Sequence, residues 1–305
     1  MKALVTGGAG FIGRALVSSL LEKDWEVIVI DSGDTSDLNA VPSSAELVER
    51  DIGKIGELEW TRLMGGVERV FHLAARKYNT PGVTPSQLLE TNVNATWKIA
   101  EAAASARVER FVFTSSLYAY GALGPEAMRE SDVPAPTTLY GASKLMGEHI
   151  LRTFGTSSNL KWSCARLFFI YGPGQHAEGG YKSVIVTNFD RLREGLAPTI
   201  CGDGFQALDY VYLSDAVSAL EALSKVETEA LTVNVASGQP QTINALTKVM
   251  QQTAGTNLAP LQIEADWTAG TERFGDPSLA ADRLGWSVSV EPADGLQSTW
   301  DSLKR

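Results

Sequence analysis

Tyr140 and Lys144 stand four residues apart in Tyr140-Gly-Ala-Ser-Lys144, so on a helix both side chains leave one face and reach one ligand. A phenol beside an ammonium is a proton-transfer pair, because the positive charge favours the phenolate and lowers its pKa. Bringing a phenol from about 10 to near neutrality takes roughly 4 kcal/mol, at about 1.36 kcal/mol per unit. One lysine and a second cation in a dry site supply that much. The tyrosinate then takes the proton of a substrate hydroxyl, and Ser116, at the end of an apolar run, offers a hydroxyl to hold the same oxygen. Tyr-x-x-x-Lys spacing is common by chance, so its meaning depends on the elements that position it.

The first of these is at the N-terminus. Residues 2–6 form an apolar run that predicts a strand, and from Phe11 the apolar residues Ile12, Ala15, Leu16, Leu20 and Leu21 follow helical spacing. Between them lie Gly7, Gly10 and Gly13, a G-x-x-G-x-x-G order that contains Gly8-x-Gly10-x-x-Gly13. Such glycines permit a tight strand-to-helix turn, close backbone approach to a pyrophosphate and close helix packing, with the phosphates at the positive end of the helix. A second strand over 27–30 ends in Asp31, near the offset expected of a ribose-binding acid. A carboxylate accepts both ribose hydroxyls and repels a 2′-phosphate. No Arg or Lys lies between Asp31 and Arg50 to offset that repulsion, so the expected cofactor is NAD rather than NADP. The nicotinamide ring is then the second cation, and Tyr140 takes a proton while hydride leaves the same carbon.

Further strands are expected over 46–50, 67–73, 109–114 and 160–167, and helices over 85–106 and 139–154. This alternation predicts an α/β fold, a Rossmann-type doubly wound parallel sheet. Chemistry collects at the carboxyl ends of such strands, where Gly7, Asp31, Asp51, Ala74, Ser116 and Phe168 fall. After Tyr171-Gly-Pro-Gly174 turns become frequent and helices, near 181–194 and 243–252, become isolated. The expected division is an NAD-binding domain over 1–167, rejoined by about 207–225. A smaller C-terminal substrate-binding lobe is expected over 168–206 and 226–305.

Composition narrows the class. A chain of 305 residues with 44% hydrophobic content builds a substantial core, and no apolar run is long enough for a membrane helix. Met1-Lys2 leads directly into the first strand, which predicts no signal peptide and a cytoplasmic protein. Cys164 and Cys201 show no metal or redox spacing and are expected to be small core residues. Three dispersed histidines give no metal signature, and the net charge of −10 argues against nucleic acid as a partner.

Thr6-Gly-Gly-Ala-Gly-Phe-Ile-Gly13, His72-Leu-Ala-Ala75, Thr114-Ser-Ser116, Tyr140-Gly-Ala-Ser-Lys144 and the segment from Arg166 to Gly174 together resemble the extended short-chain dehydrogenase/reductases. Within these the chain resembles the NAD-dependent epimerase/dehydratase family, to which UDP-glucose 4-epimerase belongs. The resemblance implies Ser116 as substrate-hydroxyl donor, Tyr140 as acid/base, and Lys144 as ribose ligand and pKa modifier. It implies Gly7, Gly10, Phe11, Ile12 and Gly13 around the pyrophosphate, and Asp51 and Ile52 at adenine. Leu73, Ala74, Ala75 and Lys77 would line the cofactor, Phe168 would lie near the nicotinamide, and Asn92 beside the catalytic strand. Dehydratases of this family carry acids after the active-site hydroxyl, where this chain has Leu117 and Tyr118, so an epimerase is expected.

The substrate end departs from the family. Phe169 stands where Asn is usual, and Leu208 and Thr268 where Arg is usual. Charge-assisted bonds to a diphosphate contribute about 1.5–3 kcal/mol each, and Arg273 or Lys182 are the candidates to replace them, Arg191 and Arg193 reading better as surface charges. His176, in a glycine-rich loop, is a candidate substrate contact, whereas His72 and His149 read as structural. A nucleotide-sugar epimerase working through a keto intermediate is the leading expectation. A sugar dehydrogenase or ketoreductase, on a substrate lacking the diphosphate, stays open beside it. A non-catalytic cofactor sensor is disfavoured by the intact Ser116, Tyr140 and Lys144. Trp97, Leu145 and Met146 lie off the faces that must cover the sheet, which predicts a homodimer; the resemblance implies that it pairs these helices as a four-helix bundle.

Overall fold

A computed structural model describes residues 1–77, 82–121, 125–175, 182–266 and 268–304. The chain begins with β1 (Lys2–Thr6), α1 (Phe11–Leu21) and β2 (Glu26–Asp31), a unit whose strands pair in parallel with Val5 beside Val29. It continues through β3 (Glu46–Glu49), α2 (Glu57–Leu63), β4 (Arg69–His72) and α3 (Pro85–Leu89). A π-helical turn (Glu90–Asn94) leads into α4 (Ala95–Ser105), followed by β5 (Arg110–Ser116), α5 (Leu139–Ser158) and β6 (Trp162–Leu167). Then come β7 (Phe169–Tyr171), α6 (Val184–Arg193), β8 (Thr199–Cys201), β9 (Ala207–Leu208), β10 (Tyr210–Tyr212), α7 (Leu213–Leu223) and β11 (Ala230–Val235). The chain closes with β12 (Gln241–Thr242), α8 (Ile243–Ala254), β13 (Leu261–Ile263), β14 (Glu272–Arg273), α9 (Ser278–Leu284) and α10 (Pro292–Ser302).

The main sheet has seven parallel strands in the order β11-β6-β5-β4-β1-β2-β3. Strand alternation sends neighbours to opposite faces. Ala3 and Val5 join Leu16, Leu20, Val217 and Trp286 on one side, and Leu4 joins Trp60, Ile99, Phe113 and Leu151 on the other. Both faces are therefore covered by helices, as the unbroken apolar strands require. Chain direction in the sheet turns at β1 and β4, the switch point where a crevice opens beyond the carboxyl ends.

The expected boundary needs correction at its C-terminal part. Residues 230–235 are not lobe but the edge strand of the main sheet, Val233 pairing beside Ala165. Ala280 of α9 and Trp286 pack into the sheet-face core with them. The physical reason is that Leu231-Thr-Val-Asn-Val235 alternates apolar and polar residues, which reads as a half-buried strand rather than as a member of a parallel sheet covered on both faces. The lobe core is built instead from Ile185, Phe189, Ile200, Leu208, Tyr210, Leu246, Met250, Leu296 and Trp300. β10 pairs with β7 rather than with the main sheet, while α7 packs in the core beside α1. Among the described residues no helix is long and apolar enough to cross a membrane.

Candidate active site

At the carboxyl end of β1 the chain turns through Gly7, which has φ +70°, a conformation costly for any residue with a side chain. A Cβ at position 13 would stand 2.1 Å from the Gly7 carbonyl oxygen, so only glycine lets α1 start this close to the turn. No side chain caps the helix at Gly10, and its first N–H groups face a crevice lined by Gly7, Gly10, Phe11, Ile12 and Gly13. A crevice floored by backbone donors at a helix start fits a pyrophosphate. Asp31 closes the neighbouring strand end. Its carboxylate accepts from Ala9 N–H (3.0 Å), Gly33 N–H (3.1 Å) and the Ser36 hydroxyl (2.7 Å), tying the glycine turn to the loop after β2.

The crevice continues into a cavity of about 380 Å³ that Leu73, Ala75, Lys77, Ser116, Tyr140, Lys144 and Phe168 also line. β5 ends at Ser116, and α5 starts over it because Thr138 caps the Gly141 N–H (3.1 Å). Gly141 is required there, since a Cβ would come within 2.1 Å of the Tyr118 carbonyl oxygen. Tyr140 and Lys144 thus project together into the cavity that Ser116 also lines. The Lys144 ammonium donates to the Thr114 carbonyl (2.8 Å) and lies 5.8 Å from the centre of the Tyr140 ring.

Electrostatically the pair differs from expectation. Desolvation pushes the Tyr140 phenol up to about 12, with the Ser116 bond opposing the rise. Burial, then repulsion from Lys77, lowers Lys144 from 10.5 to about 7. In the free protein burial thus works against the charged form of both groups. The physical reason is that both groups share one poorly hydrated pocket. His72 confirms its structural character. It is fully buried between Thr6 (2.6 Å, Nδ1) and Thr96 (2.8 Å, Nε2). The Thr96 hydroxyl donates to the Asn92 carbonyl, so it accepts from Nε2–H of the ring, and burial, which lowers the imidazole to about 3, keeps it neutral.

Several residues named as candidates are not among those lining the cavity, and their surroundings are these. Asn92 is buried in the π-helical turn, and its carboxamide is engaged by the Arg76 backbone at both ends and by Ser143. It clamps the segment after β4 rather than facing the cavity. Ile52 belongs to the sheet-face core, and Asp51 accepts from Gly53 N–H (2.9 Å) at the start of the turn holding it. Ala74 stands behind Gly7, whose absent side chain would meet its backbone nitrogen at 2.7 Å. Lys182 is paired with Asp190 (3.0 Å) on the surface, not with the cavity. Phe169, Leu208 and Thr268 do line the cavity, and Arg273 pairs in register beside Leu208 on β14. Cys201 lines it too, so it is not the core residue expected, whereas Cys164 is fully buried. His176 lies outside the described residues.

Sequence reading missed Arg76. Its guanidinium reaches Asp34 (2.6 Å) and Asp51 (3.5 Å), placing a cation near the loop after β2 although none lies nearby in sequence. Two carboxylates already neutralise it. It missed Gln206 as well, a buried amide in the lobe wall of the cavity. Among the described residues no cluster of metal-ligating side chains occurs.

Comparison with known proteins follows the same lines. Residues 3–236 match the NAD dependent epimerase/dehydratase family. The chain is 28% identical to a putative UDP-glucose 4-epimerase of Methanocaldococcus jannaschii, covering 99% of this chain and 98% of that protein. It is 27% identical to the UDP-glucose 4-epimerase of Neisseria meningitidis serogroup C over 98% and 96%. Among solved structures, UDP-glucose 4-epimerase of Thermotoga maritima with UDP-glucose superposes with a TM-score of 0.92 at 29% identity, covering 100% of this chain and 99% of that one. With the glycine turn, Ser116, Tyr140 and Lys144 converging on one crevice, and with a match over most of its length, the chain belongs to the NAD-dependent epimerase/dehydratase family.

Proposed function

We propose that this protein is an NAD-dependent 4-epimerase of nucleotide sugars, most simply of a UDP-hexose. The observation that carries the reading is that Ser116, Tyr140 and Lys144 line one cavity together with the glycine turn at Gly7, Gly10 and Gly13. Gly7, Gly10, Phe11, Ile12 and Gly13 would hold the pyrophosphate, Asp31 the adenosine ribose, Lys77 and Lys144 the nicotinamide side, with Phe168 beside the ring. NAD held there would supply the acceptor and donor of hydride. Ser116 holds the substrate oxygen, Tyr140 removes its proton, and the same phenol returns that proton once the keto sugar has presented its other face. At the diphosphate, the N-terminal end of α6, where Ser183, Val184 and Ile185 line the cavity, takes over from the missing Asn and Arg ligands.

Incubating the NAD-loaded protein with UDP-glucose or UDP-galactose tests this. The expected result is the 4-epimer by proton NMR with no accumulation of NADH. Stoichiometric NADH release would replace the closed cycle by a dehydrogenase.

We further propose a homodimer. Trp97 and Met146 are 44% and 45% exposed on adjacent helices, bordering a shallow groove with Val93, His149 and Ile150. An apolar stripe on two neighbouring helices is suited to a second copy of itself. The free thiols of Cys164 and Cys201 fit a reducing, cytoplasmic setting.

A further inference from the structure

The cavity wall next to Ser116 is aromatic. Strand register sets Ser116 of β5 beside Leu167 of β6, so the residues that follow each strand emerge side by side at the carboxyl end of the sheet. After Ser116 these are Leu117 and Tyr118, after Leu167 they are Phe168 and Phe169, and all four line the cavity. Tyr118 and Phe169 pack against one cluster that includes Leu117, Tyr120, Met128 and Phe168. The Tyr118 ring stands edge-on to that of Tyr140, with centres 5.9 Å apart and planes at 79°. Phe169 packs on Tyr210, with ring centres 5.8 Å apart. Phe168 is buried, whereas Tyr118 and Phe169 are half-buried, so an apolar group that covers them is favoured. Polar side chains from the lobe reach the same cavity but are engaged within it. Gln175 donates to the Ile170 carbonyl (2.9 Å) and accepts from Ser183 (3.2 Å), and Asp266 accepts from Thr268 N–H (2.8 Å).

Ser116 and Tyr140 take the oxygen on the reacting carbon, so substituents on the two adjoining carbons meet the side chains flanking that pair. Turning the keto sugar over exchanges those two flanks, and an apolar wall suits the turn because it grips neither orientation by directed bonds. A hydroxyl pressed against such a wall loses water without gaining a partner, whereas a methyl group loses nothing. In hexoses one adjoining carbon bears a hydroxyl and the other bears C6, the substituent that varies. We propose that Tyr118 and Phe169 are specificity-determining residues that seat a C6 methyl group, so that the preferred sugar is a 6-deoxyhexose. This rests on the nucleotide-sugar reading above and names the sugar within it.

The test compares kcat/KM of the NAD-loaded protein for 4-epimerisation of UDP-6-deoxyglucose, UDP-glucose and UDP-xylose, which carry methyl, hydroxymethyl and hydrogen at the same carbon. The wild type is expected to prefer UDP-6-deoxyglucose over UDP-glucose by about tenfold to a hundredfold, the range for one hydroxyl added in an apolar seat. Over UDP-xylose the preference is expected to be about fourfold, the worth of one buried methyl group. Both comparisons use the wild type alone, so neither depends on a variant folding. UDP-glucose turned over as well as UDP-6-deoxyglucose would mean that the Tyr118 hydroxyl or another group partners the sugar's own, and UDP-xylose ahead of both would mean selection by size. Either result overturns the proposal and leaves the epimerase reading intact. Phe169→Asn and Tyr118→Thr, which set polar groups in the wall, are each expected to cut the preference over UDP-glucose by about fivefold or more. Equal loss on all three sugars would mean a packing role and overturns the assignment to these residues. Epimerisation of none of the three by the wild type overturns both readings.

Discussion

Glu148 on α5 and Arg166 on β6 form a two-pronged ion pair inside the protein, with Nε at 3.0 Å and Nη2 at 2.7 Å from the two carboxylate oxygens. Both side chains are 5% exposed. Ser115, next to Ser116, donates to the same carboxylate, and the guanidinium lies 4.5 Å from the centre of the Tyr120 ring. Tyr120 in turn donates to Asn234 on β11 (2.7 Å). Glu148 follows Lys144 by one helical step, so the pair holds α5 in register over the strand that ends in Ser116. Removing one member leaves the other charge buried and unpaired. Glu148→Gln is expected to cost about 3–5 kcal/mol by urea unfolding, and the double change Glu148→Leu with Arg166→Met to recover much of it.

Tyr140→Phe deletes the proton acceptor but no packing. Turnover is expected to fall by about 10²–10⁴-fold, with NAD affinity and thermal midpoint nearly unchanged. A variant that kept more than a tenth of the activity would remove Tyr140 from the chemistry.

The phenol should titrate differently with and without cofactor. In the free protein burial holds it near 12, and a bound nicotinamide cation should lower it, since a nearby positive charge favours the phenolate. Ultraviolet difference titration of wild type against Tyr140→Phe, with and without NAD, reads both values. An unshifted phenol would assign its acidification to the substrate complex alone.

Burial depresses His72 from 6.5 to about 3. Between those values the unfolded chain binds a proton that the folded chain refuses, so this contribution to stability is present above 6.5 and is lost as pH falls toward 3. Urea midpoints at several acid pH values should fall more steeply for wild type than for His72→Gln. Parallel slopes would show that the ring is charged in the native state.

Gly13→Ala inserts a methyl group 2.1 Å from the Gly7 carbonyl oxygen, between backbone segments that have little room to separate. Destabilisation of about 1–3 kcal/mol is expected, together with weaker NAD binding by fluorescence quenching.

Trp97→Lys combined with Met146→Glu places charges on the exposed stripe. Light scattering should show half the wild-type mass. A wild type already monomeric at micromolar concentration would dispose of the pairing.

The parts legible in sequence were those whose physics is local. The glycine turn, the apolar strand runs and the four-residue step from Tyr140 to Lys144 each lie within one or two elements. What escaped depends on contacts between distant segments. β11 returns to β6 after an excursion through the lobe, and Arg76 reaches Asp34 only because β4 lies near β2 in the sheet. Lys182 reads as a substrate cation in sequence, whereas Asp190 on the adjoining helix holds it. The state of the Tyr140 phenol in the free protein is hidden for a related reason: sequence shows the neighbouring charge but not how much water both groups lose.

The π-helical turn at Glu90–Asn94 holds one residue more than an α-helical path would use. Each residue advances a helix by about 100°, so that one addition sets the phase between Asn92, gripping the chain below Lys77, and Trp97, facing outward. Were a residue deleted there, the two would fall out of step by more than a quarter turn. A lineage that lost it could keep the grip or the outward stripe, but would have to rebuild the other from different side chains.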